Sequence, residues 1–249
     1  LLKGKVAVIT GATRGIGFEI AKEFAARGAT VIVCSRKMAS AEKSASLIKG
    51  KVYPEKLDVS DSVGVARFIR QVVDRHKRID VLVNNAGYPF DPKIWTKKFH
   101  DVAEEEFESV SRVDLKGTLW LCQSALPFMI KGGGGVIINI ASTPAVSGHT
   151  KGAPYTIAKA GVIAITKHIA LEYGDKNVRA YTLALGNIST KATFNSMTIA
   201  ERKKAAMENA MKRWGDPHEV ARVAASVAGE DFSFATGNTI VIDGGTVLL

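Results

Sequence analysis

The chain has 249 residues, 46% hydrophobic and 23% charged, a globular composition with enough material for a sizeable core. Its formal net charge is +10, with an excess of +6 in residues 1–125 and +4 in residues 126–249, so the charge is spread over the chain and does not form a polyelectrolyte tail. The aliphatic content excludes a disordered chain, and no apolar run approaches the roughly 18–20 residues of a membrane-spanning helix.

Short apolar runs alternate with helical patterns. Val6-Ala7-Val8-Ile9 reads as a buried strand, and residues 15–27 follow with Ile16, Ile20 and Phe24 at helical spacing. Thr30–Val33 reads as a strand, 62–76 as a helix, Val81–Val83 as a strand, and about 104–130 as one long helix. Val136–Ile140 reads as a strand, 153–173 as a helix, and Arg179–Ala184 as a strand. Asp216-Pro217-His218-Glu219 has the form of a helix start, with an N-cap, a proline at N1 and an acid three residues on. That helix runs to about 228, and Asn238–Ile242 is the last strand. Val/Ile runs that do not alternate imply strands covered on both faces, and strands alternating with helices imply parallel βαβ units. The expectation is an α/β, doubly wound, three-layer sandwich. No linker or internal repeat divides residues 1–249, so one domain is expected. The irregular stretches, about 88–103 and 187–212, both follow strands, and in this architecture ligands sit at the carboxyl ends of strands.

Thr10-Gly11-Ala12-Thr13-Arg14-Gly15-Ile16-Gly17 lies between the first strand and the first helix. Its G-x-x-x-G-x-G spacing differs from the G-x-G-x-x-G fingerprint, but the physics is shared. Glycines let the backbone approach a pyrophosphate, and the helix N-terminus offers free N–H groups and partial positive charge. A site for NAD wants an acid at the end of the second strand, to bind the ribose 2′-hydroxyl. Here the residues are Cys34-Ser35-Arg36. The absence of an acid, with Arg36 and Arg14 nearby, points to a 2′-phosphate, since the guanidinium fork donates to phosphate in pairs. The expected cofactor is NADP(H).

Tyr155 and Lys159 are four apart in a predicted helix and share a face. Ser142 follows the strand ending at Ile140, so all three can converge over one site. A neighbouring ammonium favours phenolate over phenol. Tyr155 then serves as acid/base toward a carbonyl oxygen, Ser142 holds that oxygen, and Lys159 tunes Tyr155 and anchors a ribose.

With these residues the chain resembles the short-chain dehydrogenase/reductase family, over essentially its whole length. Thr10–Gly17, with Gly11, Thr13, Arg14, Gly15, Ile16 and Gly17, matches the family's cofactor loop, and Asp58-Val59 its adenine-contacting pair. Asn84-Asn85-Ala86-Gly87 matches the signature after the fourth strand, with Asn85, Ala86 and Gly87 as implied cofactor contacts. Ser142 and, thirteen residues on, Tyr155-x-x-x-Lys159 match the catalytic set, and Asp243-Gly244-Gly245 the common C-terminal sequence. The resemblance implies a Rossmann-like fold with a seven-stranded parallel sheet. Ser35 stands at the family's discriminating acid site, and its combination with Arg14 and Arg36 resembles NADP-preferring members. A homotetramer or homodimer through 104–130 and 153–173 is also implied.

Two departures stand out. The family usually has Asn where this chain has Asp114, in Val113-Asp114-Leu115-Lys116-Gly117. That Asn is thought to hold, largely through its backbone carbonyl, a water linking the lysine to solvent. Asp114 keeps the carbonyl, so the relay is expected to survive, with an added charge near Lys159. Leu185-Gly186 stands where the family has Pro-Gly, which implies a looser loop. Gly186, Ile188 and Thr190 fall at its nicotinamide-contacting positions.

His149 is expected to be a surface loop residue. Phe90, Trp95, Phe194, Met197, Met207 and Trp214 either line an apolar pocket or cap the core. Residues 88–113 run longer than the family motifs imply. Cys34 and Cys122 make no disulfide framework, and no cluster has metal spacing. No apolar stretch bounded by a cleavage site opens the sequence, so no signal peptide is expected and a cytoplasmic setting is the simplest reading. The function expected is an NADP(H)-dependent oxidoreductase on a carbonyl or secondary alcohol. Its nearest flavour is that of 3-oxoacyl-thioester reductases, with sugar or polyol dehydrogenases close behind. A non-catalytic NADP(H)-binding regulator is the alternative class. Nucleic acid and membrane are not expected as partners, because beyond net charge no reader motif or amphipathic anchor is present.

Overall fold

A computed structural model describes residues 2–194 and 197–248. Seven parallel strands form one sheet in the order β3-β2-β1-β4-β5-β6-β7. They are β1 Val6–Thr10, β2 Thr30–Ser35, β3 Lys51–Lys56, β4 Val81–Asn84, β5 Gly135–Ser142, β6 Val178–Leu185 and β7 Thr239–Ile242. The major helices are α1 Gly15–Ala26, α2 Met38–Ser46 and α3 Ser62–His76, followed by the short α4 Pro92–Thr96. Then come α5 Glu104–Ser111, α6 Gly117–Lys131, α7 Pro144–Ser147, α8 Ala153–Tyr173, α9 Lys191–Phe194, α10 Ile199–Ala206 and α11 Pro217–Ala228.

The non-alternating strands are apolar on both faces because each face has its own core. On one side Ala7, Ile9, Val31, Val33, Val83 and Ile138 pack with Ile20 and Phe24 of α1 and Val220 and Ala224 of α11. On the other, Val8, Ile32, Leu82 and Ile137 pack with Phe68 and Ile69 of α3, Leu121 and Met129 of α6 and Ile169 of α8. Each branched side chain thus leaves water whichever way it points, worth roughly 1.5–3 kcal/mol apiece. Helices 62–76 and 153–173 have the predicted bounds.

Three elements differ from the sequence reading. β3 was not expected from Lys51-Val52-Tyr53-Pro54-Glu55-Lys56, which carries three charges and a proline. It is an edge strand paired with β2 alone, and an edge tolerates both, because Pro54 owes no hydrogen bond on the open side. α2 buries only Ala41 and Ser44, too little to leave a periodic signal. The predicted helix over 104–130 is divided by one wide turn, Arg112–Lys116, in which the Gly117 N–H donates to the Arg112 carbonyl five residues back. Such insertions re-aim side chains and recur at functional sites.

β1 and β4 are neighbours, so the chain winds outward from β1 to β3 and then returns to the centre. The strand order reverses there, which opens a crevice at the carboxyl ends of the strands. Among the described residues no helix is long and apolar enough to cross a membrane.

Candidate active site

A cavity of about 1790 Å³ occupies that crevice. Its wall includes Gly11, Thr13, Arg14, Gly15, Ile16 and Gly17 of the glycine loop, Ser35 and Arg36 after β2, and Asp58 and Val59 after β3. Asn85, Ala86 and Gly87 after β4, and Thr190 on the far side, complete the predicted cofactor residues that line it. Thr10 joins two of these segments. Its hydroxyl accepts the N–H groups of Asn85 and Ala86, both at 3.0 Å, and the Asn85 amide donates back to the Thr10 carbonyl at 2.9 Å.

The loop is built for a close ligand. Gly11 has φ +63°, and a Cβ there would lie 2.9 Å from Ala86 Cα, so only glycine lets the two loops approach this closely. At Gly17 a Cβ would stand 2.6 Å from the Gly11 carbonyl oxygen. No side chain caps the N-terminus of α1, leaving its first N–H groups for an anion. The charge around the adenosine end is positive. Arg14 and Arg36 line the cavity with Lys37 and Lys43, two lysines that the sequence reading did not single out because α2 was not recognised. Asp58 is the acid there. Burial by itself would raise its pKa, but the Ser60 hydroxyl and N–H, at 2.6 and 2.9 Å, together with Arg36 and Arg112, hold it below the ordinary carboxylate range. This donor set fits a phosphorylated dinucleotide.

Ser142 ends β5, and its hydroxyl donates a long 3.3 Å bond to the Leu185 carbonyl. Tyr155 and Lys159 occupy the first two turns of α8, with the lysine nitrogen 5.6 Å from the centre of the tyrosine ring. Lys159 is buried and donates to the Ile140 carbonyl at 3.0 Å. Its ammonium also lies 2.8 Å from the Asp114 carboxylate. Asp114 sits on the wide turn between α5 and α6, fully buried, and accepts the Tyr88 N–H at 2.8 Å through its other oxygen. The expected link through the Asp114 backbone carbonyl is not the one seen. That carbonyl accepts the Thr118 hydroxyl at 2.9 Å, and the tie to Lys159 runs through the carboxylate, because opposite charges attract strongly where water is excluded.

The loop after β6 is not loose. The Gly186 N–H donates to the Ile242 carbonyl at 3.0 Å, and Ser189 and Gly215 exchange main-chain bonds with their neighbours at 2.9 Å. A strand partner on β7 and the Ile188–Gly215 bridge do the tethering that proline does by restricting φ. The Ile188 side chain is buried in the core, so any ligand contact from it must use its main chain.

The stretch 88–103 holds α4, which sets Trp95 beside Tyr155, ring centres 6.0 Å apart and edge to face. His149 and Phe90 pack on the same indole at 5.4 and 5.8 Å. The Gly152 N–H donates to the Trp95 carbonyl at 2.9 Å, just before α8 begins. Trp95 therefore walls the site, and His149, an exposed loop residue, leans on it. Phe194 and Trp214 instead pack against each other at 5.3 Å, with the indole N–H donating to the Arg202 carbonyl at 2.9 Å.

The chain matches, over residues 11–247, the family model described as enoyl-(acyl carrier protein) reductase. It is 38% identical to the 3-oxoacyl-(acyl-carrier-protein) reductase FabG of Thermotoga maritima, covering 99% of each chain. It is 36% identical to the FabG of Chlamydia pneumoniae, covering 98% of this chain and 97% of that one. The crystal structure of gox2181 superposes with a TM-score of 0.92 at 27% identity, over 98% of this chain and 96% of the other. The chain belongs to the short-chain dehydrogenase/reductase family. Membership makes it an oxidoreductase of carbonyl and alcohol groups that works with a nicotinamide dinucleotide. It also makes Asp114 a substitution at a position the family usually fills with Asn.

Proposed function

We propose that residues 1–249 act as one domain that binds NADP(H) and reduces a carbonyl to a secondary alcohol, with a 3-oxoacyl thioester as the substrate class. The observation that carries this reading is the buried Lys159 ammonium, held 5.6 Å from the Tyr155 ring beside the glycine-floored crevice. The two 3-oxoacyl reductases, at 38% and 36% identity over nearly full length, support the substrate class. The cluster of Arg14, Arg36, Lys37 and Lys43, with no acid at Ser35, supports the 2′-phosphate.

When bound, the nicotinamide supplies or accepts the hydride. Tyr155 gives its proton to the carbonyl oxygen. Ser142 exchanges its weak bond to Leu185 for one to that oxygen, which stabilises the charge developing on it. Lys159 favours the departure of the tyrosine proton and anchors the ribose. Glycine-loop N–H groups and the α1 N-terminus hold the pyrophosphate, while Asp58, Val59, Asn85, Ala86, Gly87, Gly186, Ile188 and Thr190 bound the rest of the cofactor.

The test is a panel of oxoacyl thioesters, sugars, polyols and simple ketones, followed by NADPH absorbance. Turnover should be greatest with the thioesters, and Tyr155→Phe should lower it by about 10²–10⁴-fold, the range of general acid–base catalysis. Strong preference for a sugar or polyol would replace the substrate class. Absence of turnover on every class would favour a cofactor-binding regulator.

A further inference from the structure

Asp114 does more than occupy the place of an asparagine. Its carboxylate is 0% exposed and lies 2.8 Å from the ammonium of Lys159, which is 6% exposed. It is held there from two sides. The wide turn Arg112–Lys116 aims it toward α8, and the Tyr88 N–H, from the loop after β4, donates to its second oxygen at 2.8 Å. An asparagine in this position could accept the same N–H, but it would leave the buried lysine charge uncompensated.

We propose that Asp114 is a positioning residue that offsets the Lys159 charge acting on Tyr155, so that the tyrosine stays protonated across neutral pH and the site is biased toward carbonyl reduction. The inference rests on Tyr155 being the proton donor, as proposed above. Reduction adds a hydride to the carbonyl carbon and the Tyr155 proton to its oxygen. The reduced nicotinamide is thereby oxidised, and the phenolate takes a proton back from water. Alcohol oxidation needs the phenolate at the start, so whatever disfavours phenolate slows oxidation at neutral pH and leaves the donor for reduction in place.

The charges around the pair are few. On α8 they are Lys159 and the titratable Tyr155 itself, and from the wide turn Asp114. β5 offers the Ile140 carbonyl and Ser142, and the β4 loop offers an N–H. α4 carries Lys93 and Lys97, the latter paired with Glu106 of α5 at 2.6 Å. Also on α5, Glu108 is paired with Lys116 at 2.7 Å, while Glu104 and Glu105 face solvent. From the loop before α8 come Lys151 and His149, the latter separated from Tyr155 by Trp95. Burial would push the Lys159 ammonium down, but Asp114 and then Tyr155 outweigh it and hold the lysine above its ordinary value. The lysine charge is therefore permanent at working pH, and whether the tyrosine feels it depends on the carboxylate between α6 and α8.

The decisive measurement is the tyrosinate absorbance of the cofactor-free protein against pH, with the Tyr155→Phe protein subtracted to isolate one residue. In the native chain the Tyr155 band should rise near the ordinary tyrosine value of about 10. In Asp114→Asn it should rise about one pH unit lower or more, roughly tenfold more phenolate at a given pH. With NADP(H) and a turned-over substrate, Asp114→Asn should raise the oxidation-to-reduction rate ratio at neutral pH by a similar factor. A native midpoint two units or more below 10 overturns the inference without any Asp114 variant, as does an unmoved or raised midpoint in Asp114→Asn. Full turnover by Tyr155→Phe would instead overturn the proposed function. Loss of turnover in that variant, with the Asp114→Asn midpoint unmoved, defeats only this inference.

Discussion

Arg14 and Arg36 carry the choice between the two nicotinamide dinucleotides. Both face the crevice, and the residue at the end of β2 is Ser35, which neither repels a 2′-phosphate nor replaces an acid's bond to a free 2′-hydroxyl. A hydrogen bond to a charged group contributes about 1.5–3 kcal/mol. Arg36→Ala should therefore raise the Kd of NADPH by roughly 10–150-fold while changing that of NADH little, measured by quenching of protein fluorescence. Equal loss for both dinucleotides would place Arg36 on some other part of the cofactor. Trp95 is the residue-scale counterpart on the substrate side. Its ring covers the edge of Tyr155 and is itself held by Phe90 and His149. Trp95→Ala removes a wall without touching the proton donor. It should raise KM for bulky substrates about 10-fold, the scale of an aromatic contact of 0.5–1.5 kcal/mol plus lost burial, with kcat changing less. A fall in kcat at unchanged KM would mean that the indole orients Tyr155 instead.

At the scale of elements, the most regular signals in the chain were also the most legible. Val/Ile runs buried on two faces, the amphipathic repeats of α3 and α8, and the capped start of α11 all follow from local chemistry. The glycine loop and the Ser142, Tyr155 and Lys159 set are legible for the same reason, because each needs particular residues at short spacing. β3 and α2 were not legible, since an edge strand and a surface helix bury too little to impose a period. The wide turn at Arg112–Lys116 leaves no mark in sequence either, because a one-residue insertion in a helix shifts the hydrophobic phase only slightly. That turn decides where Asp114 points, so the Asp114–Lys159 contact could be named as a nearby charge but not as an ion pair. α11 gives a prediction of its own. Asp216 caps it through the His218 N–H at 2.7 Å, and Glu219 reaches back to the Asp216 N–H at 2.8 Å while pairing with Arg213 at 2.7 Å. The Arg213 contact, then the Asp216 N–H, hold the Glu219 carboxyl down at about 2. A folded pKa below the unfolded one stabilises the fold above the unfolded value and loses that contribution as pH falls through the folded one. Thermal midpoints should thus decline between about pH 4.5 and 2, and Glu219→Gln should flatten that decline. Asp216→Ala should cost about 1 kcal/mol at neutral pH, the usual value of an N-cap.

For the whole molecule, the open question is what covers the outer face of α8. That helix turns Ala158, Val162, Thr166, Ile169 and Ala170 inward. Ile157, Ala164, His168 and Leu171, spaced i, i+7, i+11 and i+14, are all exposed, Leu171 at 88%. Residues at that spacing lie along one stripe. The stripe combines a small residue that permits close approach with two aliphatic side chains that gain nothing from water. The net charge of +10 is distributed over both halves of the chain and sets up no single repelling face. Association through α8, joined by the neighbouring α6, is the arrangement that removes this stripe from water, and a two-fold axis would place each copy's stripe against its equivalent. Sedimentation velocity at micromolar concentration should give a species at two or four times the 26.6 kDa chain mass. Leu171→Asp should shift it toward monomer, by burying an unpaired carboxylate at the seam, while leaving NADPH binding intact because the stripe faces away from the crevice. A native protein that sediments as a monomer at every concentration would show that α8 keeps its outer face in water, and the two aliphatic residues would then be ordinary exposed surface.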